Sequence, residues 1–293
     1  MIEFYKTRDM GAVITDAIAY IKLHWRSLFR DILLLVIPIF LAAQVLVSLG
    51  TIESLQIIES EDNGSMSQAF TMWKNAKFLG GFLLSVLAYL MLNFVVIYHI
   101  RWKSENPDQN MDMSYYWEYI FSHGWKIIPL NIILALMLVL GFVLLLIPGL
   151  YLLVPLSIAV PVLMIEERGV FDSINRSFFL VKKRWWRGFG TIVVSIIIVS
   201  VISLILTLAL QAAFSVQDLV SLKGSPVENI RRYAYVNAAI SLVSTFFNSF
   251  YLVVITFLFF SLKEEKEHIS LDSKLETLSD ENPASLDVEN EEF

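Results

Sequence analysis

The sequence predicts an all-α polytopic membrane bundle: six transmembrane helices, with interfacial amphipathic helices before the first, third and fifth. Three observations carry this. Apolar residues are 56% of the chain and charged residues 17%, with a mean hydropathy of +0.64, whereas soluble globular domains average about 25% charged. Six apolar blocks approach the roughly 20 residues that a bilayer crossing requires, and none contains Asp, Glu, Lys or Arg. Seventeen of the 22 Lys and Arg residues fall on one side of the six crossings so defined. By the positive-inside rule that side is cytoplasmic and holds both termini.

The elements follow in order. Residues 1–31 read as an interfacial amphipathic helix. Ile14, Ile18, Ile21, Trp25 and Leu28 recur on one helical stripe, the pattern of a helix lying in the headgroup plane. The first apolar run begins only after these residues, so it is expected to be a retained anchor rather than a cleaved signal. The transmembrane domain spans 32–262, with crossings at Ile32–Leu49, Phe78–Ile100, Ile127–Ile147, Leu150–Ile165, Thr191–Phe214 and Asn237–Leu262. The fourth is shortest and spans about 24 Å at ~1.5 Å per residue. Pro148 and Gly149 are expected to form a hairpin turn between the third and fourth crossings: proline ends a helix and glycine permits a reversal.

Before the fifth crossing, Phe171, Ile174, Phe178, Val181 and Trp185 form a second stripe, with Arg176, Lys183 and Arg187 away from it. The segment before the third crossing ends in Trp-Lys, but Ser114 and Glu118 interrupt its apolar face. Three units result, each an interfacial helix followed by an outward and an inward crossing. Residues 263–293 carry eleven acids and three lysines and read as a disordered acidic cytoplasmic tail. It is either a solvated tail or a docking segment for a basic protein partner.

Chemistry is sparse. There is no cysteine, so disulfides and thiolate chemistry are excluded. His24, His99, His123 and His268 are scattered and read as surface or interfacial residues; no metal site, cofactor or catalytic set is expected. No P-loop or GxSxG elbow is present, and Asp31, Glu166 and Glu167 sit only at the edges of crossings. Glu166 and Glu167 have two readings, a cytoplasmic mouth that binds Arg176 or a substrate cation, or solvation of a helix end. Asn237, Ser241, Ser244, Thr245 and Asn248 make a polar stripe on the sixth crossing, and Gln44, Asn93, Asn131 and Gln211 add one amide each to others. Such residues either hydrogen-bond between packed helices or line a polar groove. Pro38, Pro129, Pro155 and Pro161 are expected to kink their helices.

From Ile147 to Trp186 the chain resembles the membrane domain of the glycerophosphoryl diester phosphodiesterase family and related six-helix bacterial membrane proteins. The residues that carry the resemblance are Ile147-Pro148-Gly149-Leu150-Tyr151, Pro155, Glu166, Glu167, and Ser173-Ile174-Asn175-Arg176-Ser177 through Lys182 and Trp186. It implies a multi-pass protein of the bacterial inner membrane. It does not imply phosphodiesterase activity, which in the fused enzymes belongs to a separate soluble barrel.

The functional expectation is therefore a non-enzymatic, lipid-contacting scaffold or accessory factor. Arg176, Lys182, Lys183, Arg184, Trp185, Trp186 and Arg187 are the candidates for meeting anionic headgroups of the cytoplasmic leaflet, and no nucleic acid partner is expected. The alternative is a permease for a lipid-like or small amphiphilic substrate that uses the sixth-crossing stripe.

Overall fold

The computed structural model describes residues 3–60, 72–109, 111–213 and 226–268. Nine α-helices are found among them and no strand. They are α1 (Met10–Leu35), α2 (Ile37–Ser60), α3 (Ala76–Glu105), α4 (Met113–His123), α5 (Ile127–Leu144), α6 (Leu146–Ile165), α7 (Val170–Val181), α8 (Trp185–Ala213) and α9 (Pro226–Glu267). Among the described residues six stretches are long and apolar enough to cross a membrane. They fall on α2, α3, α4 continuing into α5, α6, α8 and α9, and a helix amphipathic in sequence begins each of the three units.

Within each unit the two crossings form a hairpin: α2 on α3, α5 on α6, α8 on α9. The fit of the first is set by glycine. A Cβ at Gly81 would lie 2.5 Å from the backbone nitrogen of Val47 and 2.8 Å from the carbonyl of Ala43, and one at Gly50 would lie 2.3 Å from the nitrogen of Phe78. Backbones that approach this closely gain dispersion contacts, which replace the hydrophobic drive that lipid cannot supply. Helix α9 is the central post and touches α1, α2, α3, α6, α7 and α8. It has 42 residues, about 63 Å at ~1.5 Å per residue, so it projects beyond a ~30 Å hydrocarbon core. Its segment Leu252–Leu262 is buried throughout.

Asp9 and Asp112 cap α1 and α4, accepting from the Ala12 and Met113 N–H groups, both at 2.7 Å. A carboxylate at that position satisfies orphan donors and complements the helix dipole. The chain before α1 is anchored at the other terminus. The N–H of Arg8 donates to Ser261 Oγ at 2.9 Å, and Phe4 and Tyr5 pack on Phe257 and Phe260. The structure therefore has a termini end and a far end.

Four boundaries differ from those expected. The first crossing starts at Ile37, because residues 32–35 complete α1 and the chain bends at Val36. Pro38 has no N–H for the Leu34 carbonyl, so it fits in the first turn of a new helix rather than the interior of the old one. The reversal between α5 and α6 is made by Leu145 alone (φ −163°, ψ 146°), and Pro148 and Gly149 sit in the first helical turn of α6. Gly149 serves packing rather than backbone freedom, because a Cβ there would strike the Phe142 ring at 2.5 Å. Trp185 opens α8 instead of closing the α7 stripe. Finally, the first residues of the acidic tail, through Glu267, are the last turns of α9; residues 269–293 lie outside the described residues.

The link between α7 and α8 is a tight turn. Lys182 has φ −53° and ψ 127°, Lys183 has φ 74°, and the Arg184 N–H donates to the Val181 carbonyl at 2.8 Å. That is type II geometry, whose third position ordinarily calls for glycine. Relief of the left-handed strain by Lys183→Gly is expected to raise stability by about 1 kcal/mol, read as a higher Tm in detergent.

Candidate functional site

Three features compete for function: an ionic layer at the termini end, a buried polar seam beneath it, and clefts deeper in the bundle.

The ionic layer gathers residues from α3, α6, α7, α8 and α9. Glu166 caps α6 and is 6% exposed at its side chain, with Arg176 Nε at 3.0 Å, Arg168 Nε at 2.5 Å and Lys263 Nζ at 3.3 Å. Burial pushes its carboxyl up, but the Arg176 hydrogen bond, Lys263 and Arg168 outweigh this and hold it below the usual carboxylate range. Arg176 also pairs with Glu267. Glu167, in a left-handed conformation (φ 53°) just past the helix end, pairs with Arg101 at 2.7 Å. Arg101 also donates to the Met164 carbonyl at 2.8 Å, to which the Tyr119 hydroxyl donates at 2.7 Å. Glu265 holds Arg187 at 2.5 Å and also pairs with Arg184. The acidic start of the tail therefore neutralises the basic stretch before the fifth crossing.

The headgroup candidates separate accordingly. Arg176, Arg184 and Arg187 are engaged by carboxylates. Trp185 stacks on Tyr151 and Phe189 and donates its indole N–H to the Tyr151 carbonyl at 2.9 Å. Pro155 leaves that carbonyl without a helical donor, so the indole replaces the missing bond. Lys182 and Lys183 are exposed and have no acidic partner among the described residues, and Trp186 is 78% exposed. On α1, Trp25, Lys22 and Arg26 are exposed too, with Arg26 over the Trp25 ring and neither cation ion-paired among the described residues.

The polar seam was missed by sequence reasoning. Tyr20, His24, Ser27 and Asp31 follow i, i+4, i+7, i+11, a second stripe on α1 beside the apolar one. His99 of α3 is buried rather than superficial: its Nδ1 lies 2.7 Å from the Tyr20 hydroxyl and its Nε2 3.1 Å from Ser27 Oγ. Asp31 is likewise 0% exposed rather than at a wet edge, and accepts from the Tyr116 hydroxyl and from Arg30, both at 2.9 Å. Burial raises the Asp31 carboxyl above the ordinary range against those two hydrogen bonds, and burial with nearby Lys103 lowers His24. These groups satisfy one another across α1, α3 and α4, and cross-helix bonding of this kind fixes the register of a membrane bundle. The four-residue polar spacing was the available signal.

Two kinds of cleft lie below. A groove of about 360 Å³ under α1 is walled by Ile198 and Ile202 of α8 and by Phe246 and Phe250 of α9; Ile18, Ile21 and Trp25 line it from α1, and Lys22 is its one charged residue. The apolar stripe of α1 therefore faces this groove, while the buried face of α1 is centred on Val13, Ala17, Tyr20 and Leu28. On the opposite side of α9 the predicted polar stripe borders a cavity of about 230 Å³, with Ser241, Ser244, Thr245 and Asn248 facing Phe40, Tyr89 and Leu92. The side chains of Asn237 and Gln211 lie outside the described residues. Tyr89 also borders a deeper cavity of about 120 Å³ lined by Asn93, Asn131, Ser157 and Tyr251. Among the described residues no group of three or more His, Asp or Glu is placed to hold a metal ion.

A family model for a domain of unknown function (DUF7847) matches residues 114–263, which run from α4 through α9 and so cover the second and third units. No curated protein and no solved structure matches the chain.

Proposed function

The chain belongs to the DUF7847 family, and from that membership and the geometry above we propose that it is a non-enzymatic, lipid-contacting scaffold or accessory protein of a bacterial inner membrane. The observation that carries the reading is the set of cations and indoles without ionic partners at the termini end: Lys22, Trp25 and Arg26 on α1, Lys182, Lys183 and Trp186 between α7 and α8. Cations left unpaired beside exposed indoles suit the boundary between anionic headgroups and acyl chains. With its basic flanks cytoplasmic, this end rests on the leaflet whose anionic lipids attract Lys and Arg. The groove under α1 accommodates an acyl chain whose headgroup meets Lys22. Kinship with the membrane domain of the glycerophosphoryl diester phosphodiesterase family belongs to the same proposal and rests on the residues Ile147–Tyr151 and Ser173–Trp186 alone.

Native mass spectrometry of the detergent-solubilised protein, titrated with anionic and zwitterionic phospholipids, tests this. Lys22→Glu, Arg26→Glu, Lys182→Glu and Lys183→Glu are each expected to weaken anionic-lipid retention by about fivefold and to leave zwitterionic lipid unaffected. Retention indifferent to all four reversals would refute the reading.

A further inference from the structure

The deeper cavity between α3, α5, α6 and α9 is lined by both kinds of hydrogen-bonding group: the amides of Asn93 and Asn131, the Ser157 hydroxyl, and the phenol hydroxyls of Tyr89 and Tyr251. Asn93 and Asn131 each turn one amide N–H back on their own helix, to the Tyr89 carbonyl at 2.8 Å and the Ile127 carbonyl at 2.9 Å respectively. Their side-chain oxygens have no donor among the described residues. Ser157 spends its hydroxyl proton on the Val154 carbonyl at 2.8 Å. Pro161, one turn later in α6, has no N–H to give the Ser157 carbonyl, and both residues line the cavity. The Tyr89 and Tyr251 hydroxyls also have no partner among the described residues, and polar groups left unmatched inside a membrane bundle are costly, so the arrangement calls for a guest that both accepts and donates hydrogen bonds.

The lining also defines the guest. It contains no Asp, Glu, Lys, Arg or His, so no charge is present to compensate an ion. A water molecule's share of liquid volume is about 30 Å³, so a cavity of about 120 Å³ holds a molecule of about four or five heavy atoms. Access is also laid out. Tyr89 stands between the cavity and the cleft at Ser241, Ser244, Thr245 and Asn248 and lines both; the cleft lies nearer the far end because α9 runs from there to the termini end. Toward the termini, Phe257, Leu258 and Phe260 are fully buried, and the Arg101–Glu167 pair lies beyond them.

We propose that this pocket binds a small uncharged polar molecule that both donates and accepts hydrogen bonds, of the size of acetamide or ethylene glycol, admitted from the far end along the α3–α9 cleft. This is a function separate from lipid contact, and neither depends on the other.

Saturation-transfer NMR with acetamide on the full-length protein in nanodiscs tests it. Wild type is expected to give a saturable signal. Asn93→Leu with Asn131→Leu is expected to weaken binding by about fivefold for each acceptor lost. Because a double substitution in the core can impair folding, Pro161→Ala is the second variant. It restores an N–H to the Ser157 carbonyl and should strengthen α6 while weakening acetamide binding by a similar factor. No saturable signal in wild type, or a signal unchanged in a folded Pro161→Ala protein and in the double variant, would overturn the proposal.

Discussion

Glu166→Gln is expected to cost about 3 kcal/mol, because removing one partner of a buried ionic cluster leaves its cations uncompensated. The side chain is 6% exposed and is shared by Arg176, Arg168 and Lys263; the variant leaves Arg176 with Glu267 alone. At roughly 2–4 °C per kcal/mol, Tm in detergent should fall by about 6–12 °C. The double variant Glu166→Gln with Arg176→Gln should recover part of that loss, since the stranded charge goes with its partner. Acid titration gives an independent check. The folded carboxyl lies below its ordinary value of 4.5, so its stabilisation is complete above that pH and is lost as pH falls through the lowered folded value. Wild type should lose stability over that acid range, and Glu166→Gln should lack this component.

Gly81→Leu is expected to be at least as damaging, because the obstacle is main chain. The new side chain would be forced against the Val47 nitrogen and the Ala43 carbonyl, and α2 cannot yield without parting from α3. Overpacking costs about 1–3 kcal/mol where side chains can move, and more where they cannot. The prediction is loss of the monodisperse folded species by size exclusion and thermal unfolding. The neighbouring Gly80 makes the contrast: the nearest atom to a Cβ there is Leu46 Cδ1 at 4.0 Å. Gly80→Ala should be tolerated, or gain up to about 1 kcal/mol of helix propensity. If both substitutions were equally harmless, the close α2–α3 contact would be wrong.

The sequence made the crossings legible for a physical reason: a charge-free run of bilayer length has few uses other than a membrane span. The three-unit order was legible as well, because Trp25 and Trp185 end amphipathic stretches of similar composition. Local geometry was less so. Pro148-Gly149 looked like a turn because both residues are turn formers, yet the first turn of a helix accepts proline equally well and Leu145 alone suffices to reverse the chain. The Glu166–Arg176 pair could be proposed from a spacing of ten residues, whereas Arg101 with Glu167 could not, because that pair exists only once α3 and α6 meet. His99 escaped notice for the same reason. Its partners Tyr20 and Ser27 lie on α1, more than seventy residues away, and no pattern within α3 points to them.

The end bearing both termini and the basic residues without acidic partners is proposed to rest on the cytoplasmic leaflet. The absence of cysteine makes side-specific labelling direct. Single cysteines placed by Lys182→Cys at the termini end and Lys77→Cys at the far end should react oppositely with a membrane-impermeant maleimide in intact cells. The Lys77→Cys protein is expected to be labelled in intact cells, and the Lys182→Cys protein only after the membrane is opened. Labelling of position 182 in intact cells, with position 77 protected, would contradict it.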